Sequence, residues 1–365
     1  MRTLSFRKGL GIGLLLAACL ARPALADEET RNRLIRFFGG WYSWFPNTRL
    51  MVKETREVDV AGFDAYRVSR RTESKAHQET DVVLFDKAKD EIFIGKVFHD
   101  DARRFAKRPF DSLVDLPTIE GSLSQAFGMP VKVTLDDRPR GTLKPLSIAL
   151  RYGDNAAVRL PGFVSEDGAS LLLGEFHPLA SEAQAVRKRL IEESKGVRPA
   201  TGKFYVTEFI DFQCARCRVR APEVERVVTE LGGAVELRFF PLVRTHEWAM
   251  DAAEVAAALA NVDVALYDKF EEQAFARGES LNAEAVRVLA ADVAESSGAK
   301  AKFESELSSG RARERVLNDI RLGIRLGLSG TPSSFHEGNF VSGERDLFET
   351  YLRGKIGAPS RATGS

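Results

Sequence analysis

Residues 204–217 read FYVTEFIDFQCARC, and this stretch decides how the C-terminal half of the chain is interpreted. Its first part, from Phe204 to Ile210, is almost continuously apolar, which is typical of a strand buried on both faces of a sheet. Two cysteines, Cys214 and Cys217, follow directly, and from Arg218 to Leu231 the apolar residues recur with helical spacing. We therefore predict that the cysteine pair lies at the junction between a buried strand and a helix.

The chain beyond this helix continues the alternation of helices and strands. A second strand is predicted from Val235 to Phe240, so that strand, helix and strand form a right-handed βαβ unit. An alanine-rich stretch, about 246–327, predicts an inserted helical subdomain. A hairpin near 333–341 and a helix beginning at Arg345 complete the pattern. We expect one α/β domain over residues 200–357.

The cysteine count favours a chemical role for the pair. The chain has three cysteines, and the third, Cys19, lies in the signal peptide described below. A disulfide across two intervening residues stabilises a fold very little, because the benefit grows with the length of the closed loop. A helix N-terminus stabilises a thiolate, so we expect Cys214 to be the nucleophile and Cys217 the thiol that resolves a mixed disulfide. Two alternatives remain: an unreactive local pair, and a zinc site, which needs about four Cys or His ligands.

The residues between the cysteines are expected to meet the substrate. Ala215 and Arg216 follow the predicted nucleophile directly. A cation beside the Cys214 thiolate favours the reduced form and makes the disulfide more oxidising. We therefore assign Ala215 and Arg216 to substrate binding and expect the pair to donate disulfides.

Two further positions are candidates for the same site. Glu208 lies inside the apolar strand, where a solvated carboxylate is not expected. Buried beneath the disulfide, it could accept or relay the proton of Cys217; the alternative is an exposed glutamate at a sheet edge. Pro332 precedes a predicted strand, and a cis bond there could face Cys214 and present the Thr331 backbone to an extended substrate; the alternative is an ordinary trans-proline turn. We assign Glu208 and Pro332 to catalysis and Thr331 to substrate binding.

Four separated segments of the chain resemble the DsbA-like branch of the thioredoxin superfamily, in particular its exported bacterial members. In chain order they are Glu208 to Cys217, Phe240-Pro241-Leu242 with His246 to Met250, Gly327 to Pro332, and Val341-Ser342-Gly343. The resemblance implies a thioredoxin-like fold with an inserted helical subdomain. It also implies an exposed nucleophile at Cys214, its buried partner at Cys217, an acidic residue beneath them at Glu208, and a cis-proline at Pro332.

Two departures from the family pattern limit what can be transferred. Family members often carry Pro and an aromatic residue between the cysteines, where this chain has Ala215 and Arg216. After the proline, Ser333-Ser334 replaces the more usual Thr-Phe. The redox potential and the peptide groove of the family therefore do not carry over directly.

The N-terminal residues resemble a secretory signal peptide. An apolar run from Leu10 to Ala21 follows basic residues, and Ala24-Leu25-Ala26 is typical of a cleavage site. We therefore expect residues 1–26 to be removed and the mature protein to be periplasmic or otherwise extracytoplasmic. The alternative is a lipobox, Leu16-Ala17-Ala18-Cys19, in which case a lipid on Cys19 would anchor the protein to a membrane. The net charge of +1 does not predict a nucleic acid partner.

The region between the signal peptide and residue 180 predicts an α+β architecture of two similar units. Residues 27–103 and 104–180 each contain strands in comparable order, and the end of the first unit, from Phe85 to His99, parallels the end of the second, from Val164 to His177. We interpret them as a duplicated module; the alternative is two unrelated sets of hairpins that share hydrophobic alternation. Residues 181–199 are expected to form a connecting helix and a linker.

The sequence thus predicts an extracytoplasmic protein thiol-disulfide oxidoreductase, acting as an oxidase without metal or organic cofactor. Its expected partners are protein thiols and disulfides, together with a redox protein that resets the Cys214–Cys217 disulfide. Isomerase or reductase activity remains open within the same class. From a different class, a chaperone-like binding protein would use the thioredoxin-like domain only as a scaffold. The N-terminal modules could hold partners or join two chains as a homodimer.

Overall fold

The structure, a computed structural model, describes residues 28–42, 49–71, 78–99, 115–136, 138–151, 157–198, 202–341 and 345–357. The predicted signal peptide and Cys19 lie outside these ranges. Within these ranges, no helix is both long enough and apolar enough to cross a membrane.

The N-terminal half consists of two successive sets of one helix and four strands, followed by a connecting helix. The first set is α1 (Glu28–Tyr42), β1 (Arg49–Glu54), β2 (Asp64–Arg71), β3 (Gln78–Asp86) and β4 (Glu91–His99). The second set is α2 (Leu116–Phe127), β5 (Val131–Leu135), β6 (Leu143–Arg151), β7 (Ala157–Ser165) and β8 (Ser170–Pro178). The connecting helix is α3 (Ala183–Glu192).

All eight strands lie in one antiparallel sheet, in the order β1-β2-β3-β4-β8-β7-β6-β5. The last strands of the two sets, β4 and β8, pair with each other from Glu91↔Pro178 to His99↔Ser170. The register is symmetric about Gly95↔Gly174. The strand order and this register relate the two halves by an approximate two-fold axis through this pair.

The two central glycines make the close approach of β4 and β8 possible. Their φ angles are alike, 151° at Gly95 and 147° at Gly174, a region that residues with a Cβ rarely adopt. A Cβ on Gly95 would collide with the carbonyl oxygen of Leu173, and one on Gly174 with that of Ile94. The same backbone conformation thus occurs at matching positions of both halves.

Helix α1 continues through Gly39 and Gly40. Phe37, Phe38 and Trp41 are all buried, and their helical spacing places them against the core. The Arg187 guanidinium of α3 donates hydrogen bonds to the carbonyl oxygens of Gly40 and Trp41. Tertiary packing and these bonds override the low helix propensity of glycine.

The C-terminal half begins with the strand that carries the cysteine motif. The elements are β9 (Tyr205–Ile210), α4 (Ala215–Glu230), β10 (Ala234–Phe239), α5 (Ala249–Val262), α6 (Val264–Arg277), α7 (Ala283–Ser296), α8 (Lys300–Ser308), α9 (Arg311–Arg325), β11 (Ser333–His336), β12 (Asn339–Phe340) and α10 (Arg345–Ile356). The sheet order is β10-β9-β11-β12. β10 runs parallel to β9, and β11 antiparallel. Helices α5 to α9 form the predicted insertion between β10 and β11.

The two halves share a hydrophobic core. Leu322 of α9 and Leu326, which directly follows this helix, lie in the same buried cluster as Ile92 and Ile94 of β4. Arg325, also on α9, donates a hydrogen bond of 2.8 Å to Glu175 of β8. The eight-stranded sheet is therefore packed directly against the helical insertion of the C-terminal domain.

A buried arginine, Arg238, joins the connecting helix α3 to the C-terminal domain. Arg238 of β10 is completely buried and donates hydrogen bonds to Asp319 of α9 and to the carbonyl oxygen of Ile191 in α3. Because its charge is balanced by buried carboxylates, its burial is tolerated. The connecting helix is thereby held against β10, the edge strand next to β9.

Candidate active site

The two cysteines lie where strand β9 gives way to helix α4. Cys214 is the N-cap residue of α4, and Cys217 lies in its first turn, with its backbone amide donating to the Cys214 carbonyl at 3.0 Å. The helix begins at Ala215, three residues before the start that the apolar spacing predicts. Cys214 retains 8% of its surface, whereas Cys217 has none. Both thiols are free in this structure.

The surroundings drive the two thiol pKa values in opposite directions. The hydrogen bond from Cys217 is the main cause that lowers the pKa of Cys214 to about 5, helped by backbone amides at the start of α4. Burial is the main cause that raises the pKa of Cys217 well above its usual value, and the neighbouring Cys214 raises it further. Near neutral pH the arrangement therefore holds a thiolate at Cys214 and a protonated thiol at Cys217.

The loop before β11 approaches the cysteine pair. The Thr331–Pro332 peptide bond is cis, the isomer that the family resemblance implies. The Cys214 thiol lies 3.5 Å from the Thr331 carbonyl oxygen. The structure thus brings Thr331 and Pro332 to Cys214 from a distant part of the chain.

Glu208 is completely buried in β9, so the alternative of an exposed edge residue does not apply. In a strand, alternate side chains share a face, which places Glu208 with Val206 and Ile210. Those two residues belong to the buried cluster that contains Cys217. Burial is the largest influence on this carboxyl group and raises its pKa to about 8. Glu208 therefore lies beneath α4 on the side of the resolving thiol.

The residues between the cysteines face solvent. Ala215 and Arg216 are exposed in the first turn of α4, and Val219, one turn further along, keeps 67% of its surface. These side chains and the Thr331 loop flank Cys214. A substrate that reaches the Cys214 sulfur would contact this part of the helix.

Asp211 is a buried site residue that the sequence analysis did not single out. Its carboxylate accepts hydrogen bonds from the backbone amides of Gln213 and Leu242 and lies 2.8 Å from His246 Nδ1. Its own amide points at the Cys217 sulfur, 3.5 Å away. Asp211 thus ties the loop before the cysteines to the loop after β10, where His246 lies. The signal available in the sequence was an aspartate between two large apolar residues, Ile210 and Phe212, directly after the strand.

Arg220 is a second residue that the sequence analysis did not assign to the site. It lies on the buried side of α4, one turn after Cys217, and only 8% of its surface is exposed. Its guanidinium lies over the Phe348 ring at 4.6 Å. Among the described residues, its two terminal nitrogens have no hydrogen-bond partner. The helical spacing from Cys217 could have placed it near the site.

The described side chains contain no cluster of three or more His, Cys, Asp or Glu residues arranged to hold a metal ion.

A model of the thioredoxin family matches residues 200–351 of the chain. The C-terminal domain is therefore similar to the thioredoxin family over these residues. The predicted fold class is confirmed: a thioredoxin domain with an inserted helical subdomain follows an N-terminal region of helices and strands. No curated protein sequence matches the chain.

Several solved structures are similar to the part of the chain that contains the thioredoxin domain. ScsC of Proteus mirabilis in a transitional conformation shares 16% identity at a TM-score of 0.39, with 48% of this chain and 80% of that chain covered. The thiol-disulfide exchange protein α-DsbA2 of Wolbachia pipientis shares 19% identity at 0.38, with 48% and 97% covered. A thioredoxin-like oxidoreductase of Silicibacter pomeroyi DSS-3 shares 20% identity at 0.38, with 47% and 98% covered.

Proposed function

We propose that this protein is an extracytoplasmic thiol-disulfide oxidoreductase that oxidises protein thiols through the Cys214–Cys217 pair. The observation that carries the proposal is the contrast between the Cys214 and Cys217 thiols at the start of the same helix. Cys214 has a lowered pKa of about 5 and reaches the surface, whereas Cys217 is buried and its pKa is raised. An unreactive pair of cysteines would not require this difference in thiol pKa and exposure.

Oxidation of a substrate follows from these two environments. A substrate thiolate attacks the Cys214 sulfur of the disulfide, the Cys214–Cys217 bond breaks, and Cys217 leaves and takes up a proton. A second substrate thiolate then attacks the substrate sulfur of the mixed disulfide, and Cys214 leaves as a thiolate. The substrate has lost two electrons and two protons; the protein holds one thiol and one thiolate, and one proton goes to solvent.

The low pKa of Cys214 favours the oxidase direction. A stable thiolate is a good leaving group and stabilises the reduced protein relative to its disulfide. The disulfide is correspondingly oxidising and is transferred readily to a substrate. Isomerase or reductase activity would require a pair that is held largely reduced, which a separate redox partner would have to supply.

The proposed location and partners rest on the sequence. The apolar run and the Ala24-Leu25-Ala26 pattern support export, and an oxidising compartment is where protein disulfides form and persist. A redox protein that restores the Cys214–Cys217 disulfide completes the cycle. Exposed Ala215 and Arg216, with the Thr331 backbone, would contact the substrate chain.

The test compares the mature chain with Cys214→Ser and Cys217→Ser in oxidative refolding of a reduced, disulfide-containing substrate. We expect the wild-type protein to form substrate disulfides, Cys214→Ser to be inactive, and Cys217→Ser to accumulate a mixed disulfide at Cys214. Equal activity of wild type and Cys214→Ser would refute the proposal and favour a binding protein on a thioredoxin scaffold. A redox titration separates the activities within the class: a potential near that of thioredoxin, about −270 mV, would contradict the oxidase direction.

A further inference from the structure

Arg220 is a charged side chain buried beside the proposed site without the partners that such a charge requires. An arginine that is removed from water without compensating bonds is costly. Both terminal nitrogens of Arg220 are buried and lack a hydrogen-bond partner among the described residues, and the face of Phe348 provides only a cation–π contact. A structural role in the helix would be filled at lower cost by an apolar side chain. The position of Arg220 therefore points to a role for its charge.

The nearest chemistry on this side of the helix is the Cys217 and Glu208 pair. Residues three apart on a helix share a face, so Arg220 lies on the same side of α4 as Cys217. Glu208 lies beneath α4 on the facing side of β9, and its carboxyl group and the Arg220 guanidinium influence each other electrostatically. Of the cations near Glu208, Arg220 has the largest influence and lowers the pKa of its carboxyl group. Arg220 thus lies on the same side of α4 as the resolving thiol, and its charge acts on the buried acid.

The other charged groups around Glu208 oppose its ionisation. Glu225 on α4 and Glu271 on α6 both raise its pKa, as burial does, whereas Arg220 lowers it. Ser334, opposite Glu208 in the register of β9 and β11, contributes a hydroxyl that also favours the carboxylate. Around Arg220 itself, Glu208 and Glu223 favour the charged guanidinium. Arg198 donates hydrogen bonds to both Glu225 and Glu271, whereas Arg220 is the cation that lowers the pKa of Glu208 itself.

We propose that Arg220 is a positioning residue for proton transfer, whose buried charge keeps the Glu208 carboxylate able to exchange a proton with Cys217. This inference rests on the proposed function and deepens it. When Cys217 attacks a mixed disulfide, its thiol proton passes to the Glu208 carboxylate, the new sulfur–sulfur bond forms between Cys217 and Cys214, and the captured thiolate leaves. When the disulfide is opened by a substrate, the same proton returns from Glu208 to the departing Cys217 sulfur.

The test measures the resolution step alone. Reduced protein is converted to a mixed disulfide at Cys214 with a chromogenic thionitrobenzoate, and the release of the coloured thiolate by Cys217 is followed by stopped flow across a range of pH. In Arg220→Met the charge is lost but the side chain keeps its length. We expect release near neutral pH to slow about tenfold, with the pH midpoint raised by about one unit, because the carboxyl group then holds its proton to higher pH. Arg220→Lys should restore most of the rate.

Two controls separate this role from packing. Arg226→Met removes a charge from the outer side of the same helix, where Arg226 pairs with Glu230, and should leave the profile unchanged. In a Glu208→Gln background, Arg220→Met should have no further effect on the midpoint. The titration of the Cys214 thiolate, read from its ultraviolet absorbance, should be the same in wild type and Arg220→Met.

The outcomes are distinct. Identical pH midpoints in wild type and Arg220→Met, or an equal shift in the Glu208→Gln background, would overturn the role of Arg220 and leave the proposed function intact. Failure of the wild-type protein to release the thionitrobenzoate at any pH would refute the proposed function itself. Should Arg220→Met not fold, Arg220→Lys and a direct infrared titration of the Glu208 carboxyl group decide the question.

Discussion

Cys214 and Cys217 lie in one helical turn, yet the charge of each sulfur is controlled by different surroundings. Cys214 is at the helix N-terminus, where backbone amides and the neighbouring thiol stabilise a negative charge. Cys217 is enclosed by apolar residues and the backbone of Asp211. The reactive sulfur is therefore the one that a substrate can reach, and the second becomes reactive only when a base removes its proton.

The pH dependence of Cys214 follows from its lowered pKa. Alkylation of the reduced protein should rise about tenfold per pH unit below the pKa of about 5 and level off above it, since only the thiolate reacts. The rate of iodoacetamide labelling, with the labelled residue identified by mass spectrometry, measures this. An alkylation midpoint near the ordinary value of 9.0 would contradict the prediction. Cys217→Ala provides a single-thiol version in which the loss of the Cys217 hydrogen bond should raise the midpoint.

The same pKa links stability to pH in the reduced protein. The folded-state pKa is lowered from 9.0 to about 5, so the thiolate contribution is complete above the unfolded value and is lost as the pH falls through about 5. The unfolding free energy of the reduced protein, measured relative to Cys214→Ser, should therefore increase between these two pH values.

Part of the site follows from sequence because its residues are adjacent or carry a recognisable pattern. The spacing of Cys214 and Cys217 and the placement of Glu208 in an apolar strand are local features. Asp211 and Arg220 were not predicted to belong to the site, because their roles depend on partners that folding supplies. Asp211 contacts His246 because the parallel strands β9 and β10 bring the loops that follow them together. Arg220 contacts Phe348 of the last helix, α10. No local pattern reports such contacts.

At the level of secondary structure, strands β4 and β8 are joined by a contact that permits no side chain at its centre. Gly95 and Gly174 are opposite each other, and both adopt positive φ. Strand segments and their order could be predicted from hydrophobic alternation, but the pairing of β4 with β8 could not. Hydrophobic alternation predicts which face of a strand is buried, but it does not predict which other strand pairs with it.

Gly95→Ala tests this contact. The new Cβ would meet the carbonyl oxygen of Leu173 at an unfavourable φ, and we expect the unfolding free energy to fall by about 3 kcal/mol. Chemical denaturation followed by circular dichroism measures the change. Gly121→Ala is the matched control: Gly121 lies within α2 with no atom near its Cβ position, and this substitution should stabilise by about 0.5–1 kcal/mol. Equal effects of the two substitutions would contradict the importance of the β4–β8 contact.

At the level of the whole molecule, the N-terminal sheet and the thioredoxin domain share one hydrophobic core. Leu322 of α9 is buried with residues of β4, and Arg325 joins the same helix to Glu175 of β8. The division into residues 27–103, 104–180 and 200–357 remains a prediction about the units of the chain. The sequence alone could not predict this packing, because the apolar face of α9 would equally suit the interior of a single domain.

A shared core predicts cooperative unfolding. Wild-type protein should give one calorimetric transition rather than two, because neither half can lose its structure without exposing the other. Leu322→Ala should lower the unfolding free energy by about 2–5 kcal/mol through the cavity that it leaves, while the transition remains single. Val288→Ala, at an exposed position of α7, should change it by less than about 0.5 kcal/mol. Two transitions, of which Leu322→Ala moves only one, would show that the halves are independent.

The approximate two-fold axis through Gly95 and Gly174 has a consequence for assembly. Since both copies of the module belong to one polypeptide, they meet at an effective concentration set by the connecting chain and not by the amount of protein present. Two separate chains joined along the same strands would come apart on dilution, whereas this joined sheet would not. The symmetric sheet therefore carries one thioredoxin-like domain, whereas a dimer of two separate chains would carry two.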